Sequence, residues 1–245
     1  MKVIRQDTDI YQSKNDKSYK IIYWIGGLVS IILIAYCLST MLIIVFIGPP
    51  PENIEECFSI LNANKLQGLL RLDILTVFIM PLYYLLFYSI YLALKRTNHE
   101  LVAISTILVF AGLTLFLSTS SVFSYLNLSD KYSLAADDIQ KNQILAAGEA
   151  ILSTDMWHGT SALIGGLLLQ TGALIISFIM LKSDVFNKIT AYTGIFIFGL
   201  DLAHIVIGLF LPLIGSIIMV VAGTLYLLWF PLIGFRLFKL GQISN

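Results

Sequence analysis

Six long apolar runs divide the chain, and shorter polar or charged stretches separate them. A helix needs about 20 consecutive apolar residues to cross the hydrocarbon core of a bilayer, and each run reaches that length. The apolar residues are continuous rather than alternating, which indicates helices and not the strands of a small membrane barrel. The pattern therefore predicts an all-α, polytopic membrane helix bundle. Its six transmembrane helices are expected over residues 21–48, 69–94, 101–123, 157–181, 189–211 and 213–235.

The segments outside these runs define the remaining organisation. Residues 1–20 are polar and basic and are expected to form a cytoplasmic N-terminal segment, followed by one six-helix transmembrane domain over residues 21–240. Two outer loops, 49–68 and 124–156, are long. The first opens with three prolines and then carries apolar residues at helical spacing, which predicts a short amphipathic helix on the outer membrane interface. These apolar residues are Ile54, Cys57, Phe58 and Leu61.

Composition and charge define the environment of the protein. Of the 245 residues, 58% are hydrophobic and 12% are charged, which is typical of a chain embedded in lipid. The formal net charge is zero, so the chain offers no basic surface to a nucleic acid. With the N-terminus inside, 11 of the 15 lysines and arginines fall on the inner side, which favours both termini in the cytoplasm and a location in the cell membrane. The lipid bilayer is the partner that the sequence identifies; it names no protein partner.

The most informative stretch is 194–211, because it places Asp201 and His204 one turn apart in an otherwise apolar helix. Ionisable side chains are costly in hydrocarbon, so they are normally buried against protein, paired and functional. Histidine titrates near neutral pH, and a carboxylate one turn away stabilises its charged form. The alternative is a hydrogen-bonded pair that only holds helices together. We take the pair as the first candidate for a site that binds a ligand or handles protons.

Counting about 1.5 Å per residue from the turns that join neighbouring helices predicts what surrounds Asp201. The residues at its depth are Gln170, Thr114, Tyr83 or Tyr84, and Thr224. Glycines recur every seven residues on the helix faces that carry Asp201 and His158, and small residues let membrane helices approach closely, so these ionisable residues are expected on packed faces. Three of the neighbours at the depth of Asp201, Gln170, Thr114 and Tyr84, can hydrogen-bond to a buried carboxyl group and join the candidates for handling a ligand or a proton.

The same count of rise per residue places a second group of polar residues at the outer interface, roughly 10 Å above Asp201 and His204. These outer-entrance candidates are Arg71, Asp73, Glu149, Asp155 and His158. Arg71 either extends its guanidinium to the interface or meets Asp155 or Glu149 across the entrance. Asp155 and His158 share a helix face at a spacing of three, and they serve either the entrance or an ordinary polar helix start.

Short stretches spread along most of the chain after residue 48 carry a resemblance to a known family. They are Gly68–Asp73, Leu128–Tyr132, Ala146–Glu149, Met180–Ser183, Ala191–Ile195 and Arg236–Gly241. In these stretches the chain resembles a bacterial family of six-span integral membrane proteins that is catalogued as a domain of unknown function. The resemblance implies a six-helix membrane bundle and supplies no catalytic residues.

Three functions are compatible with this pattern. The first, which we favour, is a binding or transport-type protein with a polar, outward-facing intramembrane site for a small-molecule or lipid ligand. The second is a metal-dependent intramembrane hydrolase acting on a lipid, and the third is a non-catalytic membrane scaffold subunit. Against transport, the spans lack the interrupted helices of many carriers, apart from a proline at Pro81.

A metal centre is not expected. Histidine and carboxylate side chains are zinc ligands, and His158, His204 and Asp201 would be the ligands if a metal were bound. Straight helices leave His158 far from His204, however, whereas all ligands must lie about 2 Å from the metal. The sequence also lacks a nucleotide-binding fingerprint and a serine or cysteine nucleophile motif, so we expect no cofactor.

Overall fold

The computed structural model describes residues 19–156 and 158–243. Within these residues the regular secondary structure is helical, without a strand. The helices are α1 (Lys20–Phe46), α2 (Ile54–Ala63), α3 (Lys65–Arg71), α4 (Ile74–Ile79), α5 (Leu82–Leu94), α6 (His99–Ser118), α7 (Val122–Ser133), α8 (Asp138–Leu152), α9 (Thr160–Met180), α10 (Lys188–Gly208) and α11 (Pro212–Ile243). Of the cytoplasmic segment predicted over residues 1–20, residues 1–18 lie outside the described part of the chain.

In the part of the chain that the structure describes, five stretches are long and apolar enough to cross a membrane. They are Lys20–Phe46, His99–Ser133, Thr160–Met180, Lys188–Gly208 and Pro212–Gln242. Their most apolar windows have mean hydropathies between 1.6 and 2.7. The all-helical fold predicted from the apolar runs is therefore confirmed, and the length and composition of these helices indicate a membrane protein.

The second predicted span, 69–94, is not one helix. It is divided among α3, α4 and α5, of which the longest has 13 residues. At the first break Asp73 adopts the left-handed conformation, with a φ of 58°, which cannot continue a right-handed helix. At the second break Pro81 lacks the N–H of the helical hydrogen bond. The expectation of a continuous second helix is wrong, because two local backbone constraints interrupt an apolar run.

The chain divides into two compact units. We call them the terminal unit, which comprises Met1–Ala35, Leu82–Phe110 and Gln170–Asn245, and the middle unit, which comprises Tyr36–Pro81 and Ala111–Leu169. Helices α1, α6 and α9 each contribute one part to either unit. Because these boundaries fall inside continuous helices, one transmembrane domain over residues 21–240 stays a prediction.

Small residues set the spacing of α10 and α11 in the terminal unit. A Cβ added to Gly194 would lie 2.9 Å from the Nε1 atom of Trp229, whose side chain is fully buried. A Cβ added to Gly215 would lie 2.6 Å from the Cα atom of Gly208 on the other helix. Larger side chains at these glycines would push the helices apart, so the close packing of α10 on α11 depends on them.

The middle unit has a hydrophobic core beneath α2. The four apolar residues predicted to share a helix face are Ile54, Cys57, Phe58 and Leu61, each at most 3% exposed. They pack with Tyr125 of α7 and with partly buried residues of α8 such as Ile144. The predicted amphipathic helix is therefore present, but its apolar face packs on protein rather than on the membrane interface. The reason is that the predicted loop 124–156 is largely helical, and α7 and α8 cover that face.

Phe58→Ala should destabilise the protein strongly, because it removes a fully buried ring from the core of the middle unit. A cavity of this kind costs about 3–5 kcal/mol. The matched control is Leu66→Ala, at a side chain that is 67% exposed, for which we expect a change within about 0.5 kcal/mol. Chemical denaturation of the purified protein in detergent measures both free energies of unfolding. Equal losses for the two variants would contradict the core described above.

Candidate functional site

Asp201 of α10 is held by a hydrogen bond from the neighbouring helix. Its side chain is 8% exposed, and the Tyr226 hydroxyl of α11 donates to Oδ2 at 2.6 Å. Burial of a carboxyl group is costly unless it is hydrogen-bonded, so this contact determines whether Asp201 can occupy its position. Thr224, the predicted neighbour on α11, is exposed and donates to Val221 of its own helix at 2.8 Å. Counting residues from the turn therefore predicted the correct region of α11 but did not identify Tyr226 as the partner of Asp201.

Gln170 of α9 extends this contact. Its side chain is hydrogen-bonded to the Tyr226 hydroxyl. Because that hydroxyl gives its proton to Asp201, it accepts from the amide nitrogen of Gln170. The amide oxygen Oε1 is shielded from solvent and has no hydrogen-bond partner among the described residues. A chain of hydrogen bonds thus runs from Gln170 through Tyr226 to Asp201, and one buried acceptor lies at its start.

Aromatic rings enclose Tyr226. Phe230 stacks on it with 5.3 Å between the ring centroids, and Phe198 meets it edge-on at 6.0 Å. Tyr83 of α5 packs edge-on against Phe230 at 6.1 Å. Surroundings of low polarity strengthen the hydrogen bond between Tyr226 and Asp201, because they screen its charges less than water does.

Two further candidates have their own surroundings. The Tyr84 hydroxyl lies 3.4 Å from the Phe110 carbonyl of α6, and the two rings meet edge-on at 4.9 Å. Thr114 belongs to the middle unit, so its predicted proximity to Asp201 stays a prediction. The predicted neighbours that the structure places around the bond from Tyr226 are thus Gln170 and Tyr83.

His204 is fastened to the next helix by its ring. Its Nδ1 atom lies 3.1 Å from the Gly215 carbonyl oxygen of α11. A carbonyl oxygen only accepts, so Nδ1 carries the proton and Nε2 is the nitrogen that can gain or release one. His204 interacts with Asp201 electrostatically, while the direct hydrogen bond of Asp201 goes to Tyr226. The predicted pair therefore consists of two neighbouring groups, each bonded to α11.

Arg71, in the middle unit, forms an ion pair with Glu56 of α2. Its Nη2 atom lies 2.7 Å from Glu56 Oε1, and its Nε atom donates to the Pro49 carbonyl at 2.5 Å. The Arg71 side chain is 15% exposed, so the pair is partly shielded from water and salt. Arg71 therefore fastens the proline turn after α1 to α2, in place of the predicted pairing with Asp155 or Glu149.

Asp155 and His158 form a second local pair in the middle unit. Asp155 is 5% exposed and accepts the Tyr125 hydroxyl at 3.1 Å. Its Oδ1 atom lies 2.9 Å from His158 Nδ1 and 3.1 Å from the His158 backbone nitrogen, which closes the turn before α9. The carboxylate holds the proton on Nδ1, and Nε2 of a largely exposed ring is left to accept one.

Asp73 and Glu149 complete the outer-entrance candidates. Asp73 accepts the Thr76 hydroxyl at 2.5 Å, and Glu149 lies exposed on α8. Of the five candidates, Asp155 and His158 contact each other directly, whereas Arg71 and Asp73 bond to other residues of the middle unit. A path from them to Asp201 in the terminal unit stays a prediction.

The conditional metal ligands are divided between the units. His158 belongs to the middle unit, and His204 and Asp201 belong to the terminal unit. Within residues 19–156 and 158–243, no group of three or more histidine, cysteine, aspartate or glutamate side chains is arranged to hold a metal ion. The candidate residues supply carboxylates, imidazoles and hydroxyls, which are groups for hydrogen bonding and for proton transfer.

No protein-family model matches this chain, and no curated protein or solved structure matches it significantly. The resemblance to a six-span family stays an expectation from short stretches of sequence. Function is therefore argued from the residues of the site.

Tyr226 and Glu56 are the partners that the sequence analysis missed. Tyr226 follows the level assigned to Asp201 by two residues, so a depth count with a tolerance of one turn includes it. Glu56 stands three residues after Asn53, which accepts its N–H at 2.9 Å, while the Glu56 carboxylate accepts a backbone N–H at the helix start at 2.9 Å. The spacing of Asn53 and Glu56 in the sequence predicts this reciprocal cap. The sequence does not predict the ion pair between Glu56 and Arg71, because that pair depends on how the proline turn folds.

Replacing Glu56 by glutamine should remove a pH-dependent contribution to stability. The Glu52 backbone N–H, and then the Arg71 guanidinium, lower the pKa of the Glu56 carboxyl below its ordinary value. A lowered pKa stabilises the folded state fully above the ordinary glutamate value of about 4.3, and this contribution is lost as the pH falls through the folded-state value. Thermal unfolding should therefore separate E56Q from the wild type at neutral pH and bring them together in acid.

The matched control for this prediction is Glu55→Gln, which changes an exposed neighbour on the same helix. Its stability should differ from that of the wild type by the same amount at neutral and acid pH. A difference between E56Q and the wild type that stays constant down to the acid range would contradict the role given to Arg71 and the cap.

Proposed function

We propose that this chain is a multi-pass protein of the cell membrane that binds or transports a small-molecule or lipid ligand, or protons, through a polar site at Asp201 and His204. The observation that carries the proposal is the Tyr226–Asp201 hydrogen bond inside an aromatic core. Neutral side chains suffice to join membrane helices, whereas a carboxyl group adds a large desolvation cost. An ionisable residue at such a position is therefore taken as functional by default.

Two neighbouring groups support such a task. The shielded amide oxygen of Gln170 is an acceptor without a partner among the described residues, and Nε2 of His204 is free of the bond to Gly215. The Gln170 oxygen can accept a hydrogen bond from a ligand, and the His204 nitrogen can accept a hydrogen bond or a proton. Together with Asp201 they form a site that combines ligand recognition with proton uptake.

The proposed topology has six crossings, both termini in the cytoplasm and the site open toward the outside. The second crossing is the interrupted segment, in which residues 74–94 provide about the 20 residues that a crossing needs. Irregular backbone is tolerated at membrane depth where protein covers it or where it lines a polar cavity. The distribution of lysine and arginine supports the orientation.

A non-catalytic scaffold is the second candidate function, and one observation favours it. Both polar residues of α10 bond to α11, Asp201 through Tyr226 and His204 through the Gly215 carbonyl, as groups that only join helices would. The metal-dependent hydrolase has no such observation in its favour among the described residues. The two leading candidates differ in whether protonation of Asp201 changes the site.

Asp201→Asn should abolish a pH response in the surroundings of Trp229. Trp229 contacts Phe198 edge-on at 5.1 Å, and Phe198 in turn contacts Tyr226, so the indole reports on the site through one side chain. The other two of the three tryptophans are replaced by phenylalanine. In lipid nanodiscs, we expect Trp229 emission and net proton uptake to change between about pH 5 and pH 8. The emission change should disappear with D201N, and the net proton uptake should fall by the share of the Asp201 carboxyl, because the other titratable groups remain.

The matched control is Thr224→Val, because Thr224 lies on the same helix and bonds only within it. This variant should keep the pH response of the wild type. Tyr226→Phe should shift the response without removing it, since the carboxyl group remains. A response retained by D201N, or a wild-type protein without any response in which D201N merely lowers thermal stability, would refute the proposal; the second result would favour the scaffold.

A further inference from the structure

A second, partly buried carboxylate, that of Asp73, lies in the middle unit at the break between α3 and α4. Asp73 accepts the hydroxyl of Thr76, which is 3% exposed. The Thr76 hydroxyl is also hydrogen-bonded to the hydroxyl of Tyr36, which lies on α1. Side-chain oxygens of two separate segments of the middle unit therefore meet at this break.

A further oxygen lies next to this group. Thr40 follows Tyr36 by one turn of α1, on the same face of the helix, and lies beside its hydroxyl. The Oγ1 atom of Thr40 is shielded from solvent and interacts with the Tyr36 hydroxyl. Thr40 therefore adds a hydroxyl oxygen of α1 to the group at this break.

The carboxylate of Asp73 lacks a positive neighbour. Among the described residues the recorded ion pairs do not include it. The nearest cation in the sequence, Arg71, bonds to Glu56 and to the Pro49 carbonyl. The hydroxyls around Asp73 are neutral. A nearby positive charge stabilises a partly buried carboxylate, and a bound cation would supply that charge.

The backbone at this point also differs from the rest of the described chain. Among the described residues, Asp73 is the non-glycine residue with a positive φ. Strained backbone conformations of this kind are found at functional sites. Interrupted membrane helices are the places where carriers coordinate sodium ions. Helix α4 has six residues, so the charge at the site comes from the carboxylate and not from the helix end.

We propose that Asp73, Thr76, Tyr36 and Thr40 form a binding site for a sodium ion. Carboxylate and hydroxyl oxygens are the ligands that hard cations prefer. A single carboxylate balances a single positive charge, whereas a divalent ion usually takes more carboxylates. The site uses residues of the middle unit, whereas Asp201 belongs to the terminal unit.

Thermal unfolding in nanodiscs tests this site with sodium chloride as the probe and choline chloride at equal ionic strength as the reference. A ligand that binds the folded state raises the unfolding temperature with each increase in its concentration above its Kd. We expect this rise in sodium chloride and not in choline chloride. Asp73→Asn should abolish it, and Thr76→Val should weaken sodium binding by about tenfold, the loss of one hydrogen-bonding ligand.

Two control variants locate the effect. Asp138→Asn removes an exposed carboxylate of the same unit, and Asp201→Asn removes the buried one of the other unit; both should keep the sodium response. If D73N does not fold, T76V and Tyr36→Phe carry the test. The proposal fails if the wild type unfolds alike in both salts, if D73N or T76V responds to sodium like the wild type, or if Asp73 governs a response to pH alone. The last result would make a proton the occupant.

Discussion

The hydrogen bond from Tyr226 to Asp201 is the contact on which the terminal unit depends. A carboxyl group in an apolar helix must find its donor on protein, because lipid offers none. Since the donor lies on α11 and the acceptor on α10, the bond fixes which faces of the two helices meet. Gly194 and Gly215 then permit the close approach, and His204 adds a second bond to α11. The polar groups and the small residues of this helix pair therefore support the same packing.

Helix packing and protonation are consequently linked at this site. The Asp201 carboxyl is bonded to a hydroxyl that aromatic rings surround, so a change in its charge alters a contact inside the core. In the middle unit, Asp73 likewise accepts a hydroxyl at a break in a helix, that of Thr76 of α4, which is in turn bonded to the Tyr36 hydroxyl of α1. An occupant that neutralised either carboxylate would also stabilise one arrangement of helices, which is the physical basis of the proposed binding or transport function.

The sequence predicts the long helices well, because continuous apolar sequence has one stable backbone in lipid. It does not show the break at Asp73, since the flanking leucines and isoleucines keep that run apolar while one left-handed residue ends the helix. The spacing of the apolar residues in α2 predicts a buried face. It does not predict which helices pack on that face, because this depends on the fold of residues 124–156. At the site, counting by depth reaches Gln170 and misses Tyr226, because depth along a helix says nothing about its rotation.

A double-mutant cycle tests the central contact most directly. Asp201→Asn, Tyr226→Phe and the double variant are unfolded in the same detergent, and their free energies of unfolding are compared with that of the wild type. A hydrogen bond to a charged group predicts a coupling energy of about 1–3 kcal/mol between the two positions. Single effects that add to within about 0.5 kcal/mol would show that the two side chains do not interact, and would contradict the account.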